Sequence, residues 1–264
     1  MAHPEDPTSK RAPEAILLGS GTSNGVPMLG AEYPPGYLAN PKNHRNRACL
    51  MLLGPSGNVL VDCPPEMRLM VTAQGIVDIE AVIITHTHAD HVMGMDDLRS
   101  ICMKTRSPMP VYTLPRYQED IRRIYAYAFQ EFPPGIAIPR FDLRDMPAEM
   151  SAGGLEIASF IVAHGPTPVI GLRVGGLAYI TDVSEIPAEA APLLRNLDVL
   201  ILDAVRYKPH PNHFHFERAI EVAREIGARQ TYFTHLSSDY DHDETNPSLP
   251  EGLELGYDGL RIPL

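Results

Sequence analysis

Three histidines and one aspartate fall within seven consecutive residues of this chain, 85–91, with the sequence THTHADH. The apolar run before them, residues 81–84, is bounded by polar residues and rich in β-branched side chains, which predicts a buried strand. In an extended backbone His86 and His88 project to the same side, so both can bind one ion. The segment therefore predicts a strand that ends at a metal site.

The last two members of this run, Asp90 and His91, come where the chain turns. A short helix is predicted over residues 93–101, and its first turn would offset these two side chains toward a second metal position. A solvated histidine-rich loop is the alternative interpretation. The preceding strand and the mixture of imidazole and carboxylate favour a metal site.

Further metal-ligating side chains follow other apolar, strand-like runs. They are His164 after residues 157–163, Asp182 after residues 177–181 and His235 after residues 230–234. A single polar residue at such a place is more often a turn residue or a hydrogen-bonded core group. Together with the histidine-rich run, however, they predict polar side chains that converge on one rim of a sheet.

The ordered set His-x-His-x-Asp-His, then His, Asp and His, resembles the metallo-β-lactamase superfamily over most of the chain. The resemblance implies an α/β fold, a four-layer αββα sandwich of two mixed sheets flanked by helices, with a dinuclear site on one edge. It also implies the ligand sets: one ion bound by His86, His88 and His164, the other by Asp90, His91 and His235, with Asp182 as the bridge.

Three further motifs resemble one branch of this superfamily. They are the loop GTSNGVP at residues 21–27, the segment NHRNR at residues 43–47 and the segment GMDDLR at residues 94–99. They are similar to phosphoribosyl 1,2-cyclic phosphate phosphodiesterases and, more distantly, to ribonuclease Z. The resemblance implies a dinuclear-metal-dependent phosphodiesterase that hydrolyses a small sugar- or nucleotide-phosphate diester, which can be cyclic.

A general acid is suggested by His213, which opens an amphipathic stretch over residues 211–227 and lies 22 residues before His235. The resemblance implies that a histidine here stabilises the phosphate and protonates the leaving oxygen. Histidine suits this role because its pKa lies near neutrality. The alternative is that His213 or His215 caps the helix, and His210 is a weaker candidate for the acid.

The expected chemistry requires two divalent ions, manganese or zinc, which lower the pKa of a bridging water and present hydroxide to phosphorus. Asp90 is counted as a catalytic residue as well as a ligand. A guanidinium matches phosphate oxygens, so Arg47, Arg45 or Arg99 could bind the phosphate, and the sequence does not decide among them.

Other enzyme classes remain as rivals. A glyoxalase II-type thioester hydrolase would share the seven ligands but would not require His213. A tRNA 3′-processing enzyme like ribonuclease Z is disfavoured by a net charge of −11, with 33 acidic against 22 basic residues, because phosphate contacts need clustered cations. Nucleic acid is therefore an improbable partner, and a small phosphodiester is the expected substrate.

The remaining expectations concern the whole chain. The cysteines, Cys49, Cys63 and Cys102, lack Cys-x-x-Cys spacing, so we expect no structural zinc. Reduced thiols and the lack of a long apolar run predict a soluble, cytoplasmic protein without membrane contact. Residues 1–14 are expected to form a disordered arm before a single domain over residues 15–264, which could form a homodimer.

Overall fold

The computed structural model describes residues 11–133 and 135–264. The described residues form two sheets, whose strands are β1 (Glu14–Gly19), β2 (Cys49–Leu53), β3 (Asn58–Val61), β4 (Ala81–Ile83), β5 (Met109–Thr113), β6 (Phe141–Asp145), β7 (Glu149–Ala152), β8 (Leu155–His164), β9 (Thr167–Val174), β10 (Leu177–Ile180), β11 (Val199–Asp203), β12 (Gln230–Thr234), β13 (Leu253–Leu255) and β14 (Leu260–Pro263). The α-helices are α1 (Met67–Ala73), α2 (Ala89–Val92), α3 (Arg99–Thr105), α4 (Pro115–Ile124), α5 (Phe216–Ile226) and α6 (His242–Thr245).

Each sheet has seven strands and mixed pairing. The first has the order β14-β1-β2-β3-β4-β5-β6, and the second has the order β13-β12-β11-β10-β9-β8-β7. Strands β3 to β6 pair in parallel, as do strands β10 to β13. The other neighbours are antiparallel. The prediction of two mixed sheets is confirmed.

Hydrophobic side chains form three layers of core, as a four-layer sandwich requires. Strand β1 shows how the sequence achieves this, because successive side chains of a strand point to opposite faces. Ile16 packs with α1, α3 and α4 on the outside of the first sheet, whereas Leu17 packs between the two sheets. A third cluster joins the second sheet to α5. The predicted αββα sandwich is therefore confirmed.

Two element boundaries differ from the predictions near the chain's beginning and its metal-ligating segment. Glu14 is the first residue of β1 and pairs with Pro263, so it is part of the sheet and not of an arm; residues 1–10 lie outside the described residues. The predicted helix over residues 93–101 is not continuous: residues 93 and 94 form a turn, and at Gly94 a Cβ would lie 2.1 Å from the carbonyl oxygen of Pro64. A short 3-10 turn follows before α3 begins.

The helix expected to begin at His213 begins later. Helix α5 starts at Phe216, with His215 as its N-cap residue and no side-chain cap from that histidine. His213 therefore lies in the loop before the helix, where its ring is positioned by tertiary contacts. The alternative that either histidine caps the helix through its side chain is not supported.

Most of the metal-ligating candidates lie where strands end, along the edge at which the two sheets meet. Such edges gather side chains from neighbouring parallel strands. At this edge the Ile170 amide donates to the Thr85 carbonyl oxygen across the sheets, at 3.2 Å. Gly21 forms isolated bridges with Arg47 and Leu236 and so closes the same edge. Among the described residues no helix is both long enough and apolar enough to cross a membrane.

Candidate metal centre

All seven predicted ligands come together in two groups that share one carboxylate. In each group the candidate ligand atoms lie within 4.8 Å of one another. The first group is His86, His88, His164 and Asp182, and the second group is Asp90, His91, His235 and Asp182. The structure therefore assembles the same two sets that the resemblance implied.

Two of these side chains reach the site through unusual backbone conformations. Asp182, two residues after β10, has a φ of 41°, and His235, directly after β12, has a φ of 57°. Residues other than glycine rarely adopt positive φ angles, and each costs about 1–3 kcal/mol. The surrounding packing must hold both residues in place, since Asp182 is 2% exposed and His235 is 1% exposed.

The donor atoms fit divalent ions. The Nε2 atoms of His86, His91 and His235 are buried and have no hydrogen-bond partner among the described residues. His91 Nε2 lies only 3.2 Å from Asp182 Oδ1, yet the geometry does not make a hydrogen bond. Buried nitrogen atoms are rarely left unpaired, and imidazole with carboxylate is a donor set for zinc, manganese or iron. The residues present thus form groups able to bind divalent metal.

A buried aspartate that the sequence analysis did not single out supports the second group. Asp62 follows β3 and is fully buried. Its Oδ2 accepts a hydrogen bond from His91 Nδ1 at 2.7 Å, and its Oδ1 accepts one from the Thr85 amide at 2.8 Å. This fixes the ring so that Nε2 faces the site. Asp62 could have been found in the sequence, because it follows an apolar strand. The same pattern identified Asp182.

Neutral oxygens orient the imidazoles of the first group. His164 Nδ1 donates to the Asn212 carbonyl oxygen at 2.6 Å, and His86 Nδ1 lies 3.1 Å from the Thr85 hydroxyl. His88 is the exposed member of the group. The first group is therefore held by the backbone and by a hydroxyl that itself donates to Asp62, and no carboxylate is hydrogen-bonded directly to Nδ1 of its rings.

Charges within the site shift its pKa values strongly. Burial alone would lower the pKa of His235, but Asp182, Asp90 and Asp203 raise it to about 9. The pKa of His91 is raised well above its usual value because Asp182 and nearby carboxylates outweigh burial. Conversely, the pKa of Asp182 is lowered well below its usual value despite burial, because His235 and His91 favour the carboxylate.

The predicted general acid lies against both groups. The His213 ring centroid is 4.4 Å from that of His164 and 4.8 Å from that of His235, and its Nε2 is 3.9 Å from Asp182 Oδ2. Its Nδ1 donates to Oδ2 of Asp203 at 2.7 Å. Asp203 is fully buried at the end of β11, so it is a second strand-end carboxylate that the sequence analysis missed.

The three arginines predicted to bind phosphate are already paired within the protein. Arg45 is 1% exposed, and its guanidinium donates to the carbonyl oxygens of Tyr240 and Ser237. It is therefore a buried structural residue, and its prediction as a phosphate ligand is wrong in this structure, because a long side chain can fold inward as well as outward.

The other two arginines are accessible but occupied. Arg47 forms an ion pair with Glu66 and donates from Nε to the Ser23 carbonyl oxygen at 2.7 Å. Arg99 forms an ion pair with Asp96, one turn earlier in the chain. Exposed ion pairs of this kind contribute little energy, so either guanidinium remains available to exchange partners.

A model of the Beta-lactamase superfamily domain matches residues 57–236, which is more than half of the chain. The chain belongs to this superfamily. The superfamily fold, the metal-binding His/Asp groups and the relatives below make this protein a metal-dependent hydrolase.

Three known proteins that are similar to this chain indicate which members of the superfamily it resembles. A solved structure described as a new diphosphatase from the PhnP family is 34% identical, covers 96% of this chain and 98% of its own, and superposes with a TM-score of 0.87. A ribonuclease Z of Methanopyrus kandleri is 25% identical over 85% of this chain and 94% of its own length. An octanoyltransferase of Porphyromonas gingivalis is 35% identical over 93% of this chain.

The octanoyltransferase match has a different meaning from the other two. This chain spans only 50% of the length of that relative. Its name therefore describes a protein about twice as long, and we draw no activity from it for this superfamily member. The two full-length matches, in contrast, agree with the predicted resemblance to the phosphodiesterase and ribonuclease Z branch.

Proposed function

We propose that the protein hydrolyses small phosphoric diesters, including cyclic sugar or nucleotide phosphates, at a centre of two divalent ions, manganese or zinc. The observation that carries this proposal is the position of His213, whose ring contacts both metal-binding groups while Asp203 holds its far side. The diphosphatase relative, which aligns over 96% of this chain, supports attack at phosphorus, and its diphosphatase activity adds diphosphate linkages to the candidate substrates.

The metal ions would be held by His86, His88 and His164 on one side and by Asp90, His91 and His235 on the other, with Asp182 shared. When bound, ions of this kind acidify water and stabilise charge on phosphoryl oxygens. Asp90 is 7% exposed, and His91 and His235 lower its pKa, so it stays ionised despite burial. The ionised carboxylate can therefore hold a metal ion and orient the attacking water by accepting a hydrogen bond from it.

The leaving group receives its proton from His213. As a water oxygen bonds to phosphorus, the bond from phosphorus to the leaving oxygen breaks, and its electron pair stays on that oxygen. The Nε2 proton of His213 then passes to the leaving oxygen, while Nδ1 keeps its hydrogen bond to Asp203. The buried carboxylate fixes the ring orientation and stabilises the charged imidazolium before transfer.

A comparison of leaving groups tests this assignment directly. Adenosine 2′,3′-cyclic phosphate releases a basic sugar oxygen, whereas bis(p-nitrophenyl) phosphate releases a weakly basic phenolate. We expect His213→Ala to lower kcat/KM for the cyclic phosphate by about 10²- to 10⁴-fold, the usual contribution of a general acid. The loss for the p-nitrophenyl diester should be much smaller, because that oxygen leaves without a proton.

His215→Ala is the matched control, since His215 lies two residues away and its side chain makes no cap hydrogen bond. Equal losses for both substrates in His213→Ala would contradict the general-acid role. Metal-loaded protein that cleaved neither substrate but hydrolysed a thioester would contradict the proposed function and favour the glyoxalase II-type alternative.

Two other activities are less well supported. A ribonuclease Z-like role would need clustered cations for RNA, but the chain has 33 acidic against 22 basic residues and a net charge of −11. Acyl transfer through a thiol is disfavoured because all three cysteines are buried. Burial also raises the pKa values of the Cys49 and Cys63 thiols well above normal, which suppresses the reactive thiolate.

A further inference from the structure

A second imidazole outside both metal groups, that of His210, extends the active site beyond His213. The ring centroid of His210 lies 4.8 Å from that of His213. His213 therefore contacts His164 and His235 of the metal groups and also His210. The last of these belongs to neither metal group and is only half-buried, so it can meet a substrate that contacts His213.

A single hydrogen bond fixes the proton of His210. The Asn212 amide donates to His210 Nδ1 at 3.2 Å. A backbone N–H can only donate, so Nδ1 is the acceptor, and the neutral ring must carry its proton on Nε2. In the part of the chain that the structure describes, no protein group hydrogen bonds to this Nε2. His210 thus presents a free N–H donor.

The loop that carries His210 is held in place on several sides. Pro209 and Pro211 flank the histidine and restrict its backbone. Arg206 donates from Nη2 to the Pro209 carbonyl oxygen at 2.8 Å. Asn212, whose amide binds His210, also accepts from His164 Nδ1 through its carbonyl oxygen. The donor is therefore fixed relative to a metal-binding histidine.

We propose that His210 binds the leaving group of the substrate, donating from Nε2 to an oxygen next to the one that His213 protonates. This inference rests on the proposed function. A diphosphate diester has such an oxygen, because its leaving group is a phosphate monoester with charged non-bridging oxygens. An aryl or simple alkyl leaving group does not. The second imidazole therefore selects for substrates with a phosphorylated leaving group.

The proton and bond changes remain those of hydrolysis. The water oxygen bonds to the attacked phosphorus, and the bond from that phosphorus to the bridging oxygen breaks. The bridging oxygen leaves with the electron pair and takes the proton of His213 Nε2. His210 keeps its own proton throughout and only donates a hydrogen bond to the departing phosphate.

Two adenosine substrates isolate this contact. Diadenosine diphosphate and the p-nitrophenyl ester of AMP present the same adenosine phosphoryl group for attack, but they release AMP and p-nitrophenolate, respectively. The informative variant is His210→Asn, because the Asn oxygen can still accept the Asn212 amide while the Nε2 donor is lost. His210→Gln places an amide donor near the Nε2 position, and His215→Ala is the control from the same loop.

We expect metal-loaded His210→Asn to lose about 10- to 100-fold in kcat/KM for diadenosine diphosphate, the range for a hydrogen bond to a charged group. Its activity on the p-nitrophenyl ester should stay within about threefold of wild type, its metal content should be unchanged, and His210→Gln should recover part of the loss.

Equal losses on both substrates would overturn the inference and leave the proposed function intact. So would wild-type-like turnover by His210→Asn, or wild-type protein that cleaves the ester but not the diphosphate. Wild-type protein inactive on both adenosine substrates and on the two diesters of the leaving-group comparison would instead contradict the proposed function.

Discussion

The two metal-binding groups share Asp182 but differ in what lies behind their imidazoles. Behind His91, in the second group, stands the fully buried carboxylate of Asp62, 2.7 Å from Nδ1. Asp203 lies behind His235 at a longer distance, 3.8 Å from Oδ1 to Nδ1, without a hydrogen bond. A carboxylate hydrogen-bonded to the ring, as at His91, increases the basicity of the imidazole and strengthens its bond to a metal.

In the first group no carboxylate is hydrogen-bonded directly to Nδ1 of a ring, and Asp62 reaches His86 only through the Thr85 hydroxyl. His164 donates to a backbone carbonyl oxygen, His86 lies beside a hydroxyl, and His88 is exposed. We therefore expect the second group to bind its ion more tightly than the first. Two sets of similar ligands can therefore differ in metal affinity. The difference arises because the residues that hydrogen-bond to the ligand imidazoles are not the same in the two groups.

The largest effect should come from the residue common to both groups. We expect Asp182→Ala to weaken both ions and to lower phosphodiesterase kcat/KM by at least about 10³-fold, since several kcal/mol of transition-state stabilisation depend on them. Metal analysis and kinetics measure this effect. Asp198→Ala, at a residue whose side chain is 61% exposed, is the control. Selective loss of a single ion in Asp182→Ala would contradict a shared carboxylate.

The uneven support should also appear in the stability of the metal-free protein. His91→Ala leaves the buried Asp62 carboxylate without its ion-pair partner and with only its hydrogen bonds from Thr85, which should lower the free energy of unfolding by about 3–5 kcal/mol. His88→Ala removes an exposed ring and should change this free energy by less than about 0.5 kcal/mol. Urea denaturation in the presence of a chelator measures both. Similar losses in the two variants would remove the proposed asymmetry.

A milder change tests the carboxylate behind the second group. Asp62→Asn should weaken the ion of that group by about 10- to 100-fold, and it should weaken the ion of the first group less, because Asp62 reaches His86 only through the Thr85 hydroxyl. Calorimetric titration with the metal resolves the two binding steps. Asp142→Asn, at a half-exposed residue paired with Arg144, controls for the loss of one negative charge. Equal weakening of both steps would show that Asp62 acts on the whole edge.

The smallest effect is a difference in proton release. Because the pKa of His235 is raised to about 9, this ring is protonated in the metal-free protein near pH 7.5 and must lose its proton to bind metal. Burial lowers the pKa values of His86 and His164, so these rings are already neutral.

The two binding steps should therefore differ in a weakly buffered titration at pH 7.5. The tighter step should release protons and strengthen as the pH rises toward 9, whereas the weaker step should release almost none. Proton release confined to the weaker step would assign the affinities the other way round.

The ligands were predictable because they obey a simple geometric rule. His86, His164, Asp182 and His235 each end an apolar strand, and such ends meet along one edge of a sheet. Asp62 and Asp203 obey the same rule but could have been turn residues, and the sequence could not show which histidines they would face. The layered fold followed in the same way, because strands such as β1 alternate between two cores.

Features set by tertiary packing were less predictable. The inward path of Arg45 depends on carbonyl oxygens nearly 200 residues away, at Ser237 and Tyr240. The turn at residues 93–94 places Gly94 against the chain at residues 63–64, where its amide donates to the Cys63 carbonyl oxygen at 2.7 Å. A local sequence pattern contains no information about such long-range contacts. The predictions for the Arg45 side chain and for the helix boundary near Gly94 therefore failed.

Stepwise metal loading joined to turnover tests the central claim most directly. Manganese is titrated into the metal-free protein while hydrolysis of bis(p-nitrophenyl) phosphate and of a thioester is followed. We predict little phosphodiester turnover after the first equivalent, a steep rise between the first and second equivalents, and no comparable thioester hydrolysis. Full phosphodiester turnover at one equivalent, or hydrolysis of the thioester alone, would contradict a two-ion phosphodiesterase.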